Sequence, residues 1–186
     1  MKPFPAGVGW QMLEKYQIEA PFDYMVFISD YSLRQAREAG MRPRRPLVLY
    51  PGVEHGKFQP KQKEDVVLYT GKFETRKGVF EVLEVARALP AVRFSIYGWG
   101  PEEAALRRAA PPNVEITSYT VASELPDRAG RARICLLPSK AETFGIALVQ
   151  CMAAGCAVVS SIPLEFAGRR VAPVRPMQTP SNPNDE

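Results

Sequence analysis

The stretch ICLLPSKAETFGIALVQCMAAGCAVVS, residues 134–160, decides the fold. It reads as strand, loop, helix, strand. Ile134–Leu137 is a short apolar run closed by Pro138 and Ser139. Thr143 is a residue type that caps helices, and Phe144 and Gly145 fall in the first turn of the helix it would begin. Ile146, Leu148, Val149 and Met152 continue that helix, and Gly155 ends it where a left-handed residue is favoured. Ala157–Val159 is the next buried strand. A loop between a strand and a helix N-terminus presents unpaired backbone N–H groups and the positive end of the helix dipole, a setting that suits phosphate. Glu142 stands at the mouth of this loop. Gln150 lies along the helix, on the order of 12 Å away at about 1.5 Å per helical residue.

Towards the N-terminus the same alternation repeats. Val66–Thr70 reads as a strand, followed by GKFETRKG and an amphipathic helix from about Lys77 to Leu89, with Val79, Phe80, Leu83 and Ala86 on its apolar face. Val92–Tyr97 is the second strand, then GWGP and a helix over Glu102–Ala109. Val114–Thr117 is the third strand, with a helix from about Val121 to Ala129, and Arg133–Leu137 is the fourth. Repeated units of this length imply right-handed crossovers and a doubly wound parallel α/β sheet with helices on both faces. Ligands of such sheets bind at the carboxyl ends of the strands. The loops at Gly71, Gly98–Gly100 and Gly145 all follow strands and gather on that edge.

The remaining segments are organised differently. A short helix is expected over residues 8–18. Tyr24–Ser29 reads as a strand, Asp30 as the N-cap of a helix ending at Gly40, and Leu47–Tyr50 as a second strand. A polar connection over Glu54–Glu64 holds Pro60, and a domain boundary is placed there, dividing 1–60 from 61–171. The tail 172–186 is rich in proline and polar residues and is expected to be disordered.

Bulk composition narrows the classes. The chain has 186 residues, enough for one domain and a fraction, with 46% apolar and 24% charged residues. It has no apolar run long enough to cross a bilayer and no signal-peptide core, while peripheral membrane contact is left open. Cys135, Cys151 and Cys156 sit in apolar surroundings at a spacing that fits no zinc motif. They are expected to be buried free thiols of a reducing, cytoplasmic compartment. The net charge of +4 is modest, and the basic residues do not form a stripe with interleaved aromatics, so nothing points to nucleic acid.

Several residues can carry chemistry. Lys72 and Lys77, with Arg76 between them, place ammonium groups near strand ends, where they suit a diphosphate; solvated surface lysines are the alternative. Glu142 either meets a ligand or complements the helix dipole. Gln150 either bonds vicinal hydroxyls or is an ordinary polar helix residue. Gly98-Trp99-Gly100 begins a dinucleotide fingerprint, but Glu103 stands at its third glycine, which disfavours a nicotinamide enzyme. Trp99 stands between glycines, where exposure is one reading and packing the default explanation. His55 falls in the polar connection without a paired acid. No Ser/His/Asp set, Cys/His pair or metal-ligand cluster is present, so hydrolytic and metal-assisted chemistry have little support.

Together these residues resemble the donor-binding half of retaining glycosyltransferases of the GT-B fold, the large family 4 type. Glu142–Gly145 through Gln150 is similar to the family's E-x7-E region, with CMAAGCAVVSS after it. Gly71-Lys72…Lys77-Gly78 is similar to its GR…KG turn, and Gly98–Gly100 to its G-x-G turn. Ile28-Ser29, Leu49–Glu54 and Phe58 look like the segment where the chain leaves the first domain. The resemblance covers about residues 23–165.

It implies a Rossmann-like fold and a nucleotide-sugar donor spanning the 142–150 interval, with no other cofactor and no metal. Lys72 and Lys77 would neutralise the diphosphate, assisted by amides at Phe144–Gly145 and the Thr143 helix start. Glu142 would hold the transferred sugar, Gln150 would take the ribose position, and the base would rest near Ser118–Tyr119. Catalysis would be electrostatic, the cations stabilising the leaving phosphate. Glu142 and Lys77 are its expected catalytic residues.

There are departures from the family pattern. Gln150 replaces a glutamate, which weakens a charge-assisted hydrogen bond. Lys72 replaces an arginine and loses its bidentate fork. Ser118 stands where glycine is common, and residues 160–165 lack paired glycines. Only the last elements of an acceptor-side domain are recognisable. The chain is therefore expected to be a fragment, a truncated product or half of a two-chain enzyme whose acceptor-binding part acts in trans. The alternative is a degenerate module that keeps the fold for interaction.

Overall fold

The computed structural model describes residues 23–119, 124–161, 164–166 and 169–171. The expected helix over 8–18, the start of the helix expected from Val121 and the tail from Ala172 lie outside the described residues. Two compact units are present. One contains the described residues of 1–52, 143–145 and 165–170, and the other those of 53–142, 146–164 and 171–186.

In the smaller unit, β1 (Met25–Phe27), α1 (Asp30–Glu38) and β2 (Pro46–Val48) make a parallel β-α-β turn, with Met25 opposite Pro46 and Phe27 opposite Val48. The helix cap is Ser29, not Asp30. Ser29 has the extended backbone a cap requires, with φ −163° and ψ 159°. Its hydroxyl accepts the Ser32 N–H at 3.0 Å, and the Ser32 hydroxyl accepts the Ser29 N–H at 3.1 Å. Asp30 falls one position inside, where its charge meets the positive end of the dipole. Leu33 and Ala36 are the buried residues of α1.

The larger unit follows the alternation read from the sequence. Its elements are β3 (Glu64–Lys72), α2 (Val79–Ala88), β4 (Arg93–Trp99), α3 (Glu103–Ala109), β5 (Val114–Ser118), α4 (Leu125–Arg131), β6 (Ala132–Leu137), α5 (Ile146–Ala153) and β7 (Ala157–Ser160). The sheet has five parallel strands in the order β5-β4-β3-β6-β7. The chain steps outward from β3 to β5, then returns over the sheet to β6. Right-handed crossovers therefore put α2 and α3 on one face and α4 and α5 on the other. Burial agrees: Val67, Tyr69, Phe94 and Ile96 pack with Val79, Val82, Leu83, Ala86 and Leu106 in one core. Leu68 and Cys135 are register partners pointing the other way, and they are buried, as are Leu148 and Cys151 of α5. β8 (Leu164–Phe166) and β9 (Arg169–Val171) form a separate two-stranded sheet.

This strand order has one functional consequence. β3 and β6 are neighbours but not consecutive, so the loops leaving their carboxyl ends diverge. A crevice opens between such loops, and open α/β sheets bind ligands there.

Candidate functional site

Tyr69 of β3 is wholly buried, and its hydroxyl donates to the Lys72 carbonyl at 2.8 Å. Burial pushes its pKa above the ordinary tyrosine range, and the nearby charge of Glu142 pushes the same way. Tyr69 thus stays a donor and props the turn at Gly71–Lys72. The ends of β3 and β4 approach closely: a Cβ on Gly98 would sit 1.9 Å from the Gly71 carbonyl oxygen. The Phe73 N–H donates to the Trp99 carbonyl at 2.7 Å and continues the contact.

After this turn the chain does not enter a helix at Lys77, as the sequence reading expects. Thr75–Lys77 is a single 3-10 turn, and Gly78 follows with φ +72°. Only glycine fits there. Its conformation is left-handed, and a Cβ would lie 2.0 Å from the Pro138 carbonyl oxygen. The close approach presses the turn bearing Lys77 against the loop leaving β6. The Lys140 N–H donates to the Arg76 carbonyl at 3.0 Å and ties the two loops.

Lys77 and Glu142 meet at this junction. Lys77 Nζ donates to Glu142 Oε1 at 2.6 Å, and the two side chains are only 18% and 11% exposed. The Ser139 hydroxyl donates to the same oxygen at 2.9 Å, and Ser139 is fully buried. Sequence reading singles out the lysine and the carboxylate but misses Ser139. Its only sequence signal is its place directly after the Pro138 that closes the strand.

The other cations are also paired. Lys72 Nζ lies 3.7 Å from Glu74, and Arg76 Nε lies 2.7 Å from the same carboxylate. Glu74 is thus a shared counterion that the sequence reading passes over. An incoming anion must compete with Glu74 for two cations and with Glu142 for the third.

Gly98, Ser118 and Tyr119 lie along the carboxyl ends of β4 and β5, where Gly98 is opposite Ser118. The Tyr119 N–H donates to the Gly98 carbonyl at 3.1 Å. The Ser118 hydroxyl donates to Glu103 at 2.5 Å and accepts from Arg107 at 2.9 Å. That hydroxyl first, and Arg107 second, hold the Glu103 carboxyl below its usual range. The Tyr119 ring stacks on Tyr97 at 4.4 Å between centroids. Trp99 is 48% exposed, so packing, its default explanation, does not account for it. Gln150 lies half-buried on α5.

Thr143, Phe144 and Gly145 depart from expectation. Gly145 has φ +80°, which no α-helix accommodates, and α5 begins only at Ile146. These three residues belong to the smaller unit. There the Thr143 carbonyl accepts the Ser29 hydroxyl at 2.5 Å, and Phe144 packs 6.0 Å from the Tyr50 ring. Helical spacing between positions 142 and 150 therefore holds only from Ile146 onward.

A cavity of about 830 Å³ opens at the opposite, amino end of the strands, lined by Glu64, Arg93, Glu124, Arg128 and Arg131 among others. Its arginines are neutralised in place: Arg93 by Glu64 at 3.6 Å, Arg128 by Glu124 at 3.1 Å, Arg131 by Asp127 at 3.0 Å. None of these arginines is left free to hold an anion, and the chemistry argues for the carboxyl edge instead. Among the described residues, no cluster of three or more His, Cys, Asp or Glu is placed to hold a metal ion. No helix among them is long and apolar enough to cross a membrane.

Known proteins share this fold. D-inositol 3-phosphate glycosyltransferase of Segniliparus rotundus is 28% identical over 64% of this chain and 32% of its own length. The structure of sucrose-phosphate synthase from Thermosynechococcus elongatus superposes with a TM-score of 0.72 at 20% identity, covering 82% of this chain and 44% of that one. Anabaena HepE, solved with UDP and glucose, superposes with a TM-score of 0.71 at 18% identity, covering 81% of this chain and 47% of that one. At such identities the structural likeness shows the parallel α/β fold. The chain spans less than half the length of each of these relatives. The family model described as glycosyl transferases group 1 matches residues 64–170, more than half of the chain. On that match, the chain belongs to the glycosyl transferases group 1 family.

Proposed function

We propose that residues 61–171 form the donor-binding part of a retaining glycosyltransferase of the GT-B, family 4 type. It would transfer a sugar from a nucleotide-sugar to an acceptor held by a further domain or subunit. The observation that carries this reading is the Lys77–Glu142–Ser139 cluster at the β3–β6 crevice, where a parallel sheet binds ligands. HepE, a structural neighbour, was solved with UDP and glucose, which supports the choice of donor class.

In this reading the donor diphosphate takes the ammonium groups of Lys72 and Lys77. Lys77 leaves Glu142 in part, and the released carboxylate accepts hydroxyls of the transferred sugar. Gln150 meets the ribose. As the bond from the sugar carbon to the phosphate oxygen breaks, its electron pair goes to the diphosphate. The lysines stabilise that charge, with no metal in the step. The acceptor oxygen then forms the new bond on the same face, and its hydroxyl proton passes to the departing phosphate oxygen. Buried free thiols at Cys135, Cys151 and Cys156 fit work in a reducing cytoplasm.

A thermal-shift titration tests the site. UDP, GDP or ADP at millimolar concentration should raise the melting temperature, and Lys77→Ala should abolish the shift. No stabilisation by any of the three would refute the proposed site.

A further inference from the structure

Trp99 ends β4 on the ligand edge, opposite Lys72 at the end of β3. Nearly half of the residue is in water. Its backbone has no freedom to turn the indole inward. The Trp99 carbonyl accepts the Phe73 N–H at 2.7 Å. Each flanking glycine is pressed against neighbouring backbone: a Cβ on Gly98 would lie 1.9 Å from the Gly71 carbonyl oxygen, and one on Gly100 would lie 2.5 Å from the Phe73 carbonyl oxygen. The indole is thus a large apolar surface held outward on a rigid strand end. A polar side chain would serve a purely structural role there at lower cost in exposed apolar area.

The order of groups along the edge tells what meets this ring. Glu142 and Ser139 follow β6, Lys72 ends β3, Trp99 ends β4, and Ser118 ends β5. Adjacent strands are about 4.8 Å apart, so Trp99 lies one step beyond the phosphate-binding lysine on the side away from the sugar. The aromatic residue on the next strand end is already engaged, since Tyr119 stacks on Tyr97 at 4.4 Å. The Lys72 ammonium sits 5.0 Å from the Trp99 ring centroid as a cation–π contact. A diphosphate that draws this ammonium away removes one partner of the indole and brings another.

We propose that Trp99 is the stacking platform for the nucleobase of the donor, and that Tyr119 instead buttresses the strand end beneath it. The proposal rests on reading the site as a nucleotide-sugar site. Base–aromatic stacking tolerates any base, so the platform supplies affinity without choosing among uracil, guanine and adenine.

Trp10 and Trp99 are the only tryptophans in the chain, so Trp10→Phe leaves Trp99 as the sole reporter. In the full chain carrying that change, saturating UDP, GDP or ADP should quench the emission, while inorganic pyrophosphate should not. Trp99→Ala should weaken binding of the nucleoside diphosphate about tenfold or more and leave pyrophosphate affinity unchanged, while Trp99→Phe should stay within about threefold of wild type. Unchanged emission at saturation, or nucleotide affinity equal to wild type in Trp99→Ala, overturns the platform. So does an equal loss for pyrophosphate, which would mean that Trp99 acts only through Lys72. If Trp99→Ala does not fold, the emission of Trp10→Phe decides. If none of the three nucleotides stabilises the wild-type chain, the nucleotide-sugar reading itself falls and the platform falls with it.

Discussion

Lys77 Nζ and Glu142 Oε1, 2.6 Å apart, join the loop after β3 to the loop after β6 across 65 positions of sequence. The pair is mostly out of water, where a charge-assisted hydrogen bond is stronger than at the surface. Removing one partner leaves the other partly buried with weaker compensation. Lys77→Met or Glu142→Gln should each cost about 2 kcal/mol of stability, and the double variant less than their sum. Urea denaturation of the four species in a double-mutant cycle measures the coupling. Strict additivity would mean that the contact contributes nothing to the fold.

Glu74 competes with any anion for Lys72 and Arg76, which it holds at 3.7 and 2.7 Å. All three side chains are partly in water, so salt screens the competition. Glu74→Gln should tighten pyrophosphate binding about three- to tenfold at low ionic strength, and the gain should shrink in high salt. Calorimetric titration at two salt concentrations gives both values. A loss of affinity would mean that Glu74 positions the cations instead of occupying them.

Much of this was legible in the sequence because it depends on local pattern. Apolar runs spaced by helical segments predict the five parallel strands, and the glycines after them predict the ligand edge. Lys77 and Glu142 are visible as charges at strand ends. What the pattern hides depends on tertiary neighbours. Thr143 and Gly145 look like a helix start because threonine and glycine suit several backbone states. The observed φ of +80° at Gly145 places it outside the helix. Ser139 looks like a loop serine until Glu142 folds back onto it, 2.9 Å away. Trp99 looks like core because large aromatics usually are. Its exposure follows from the backbone contacts that pin both neighbouring glycines.

The glycines at the strand ends give a graded prediction. Gly98→Ala would set a methyl group against the Gly71 carbonyl and the Phe73 ring, at 1.9 and 2.6 Å before relaxation. Both neighbours belong to packed structure, so relief requires separating β3 from β4. The expected loss is about 3 kcal/mol, seen as a large fall in melting temperature. Gly40→Ala meets nothing within 4 Å and suffers only the strain of φ +91°, about 1 kcal/mol. Equal losses at the two positions would refute close strand packing as the cause at Gly98.

The thiols give a prediction that separates burial from reactivity. Cys135, Cys151 and Cys156 are all buried and free of disulfides. Contact with Cys135 comes first in raising Cys151, with burial adding to it, and Cys156 is raised by its contact with Cys151 and by burial. A raised thiol pKa leaves less thiolate, and thiolate is the species that reacts. The Cys156 thiol also donates to the Ala129 carbonyl at 3.1 Å, which favours its protonated form. The native chain at pH 8 should therefore resist alkylation, and all three thiols should react once urea unfolds it. Raising the pH to 9 should accelerate native labelling of Cys151 and Cys156 less than it accelerates labelling of a free thiol, because the folded pKa values of these two lie above the ordinary range. Mass spectrometry of iodoacetamide-treated protein reads the outcome at each site. Rapid labelling of Cys151 under native conditions would show that α5 opens from the sheet far more often than its packing implies.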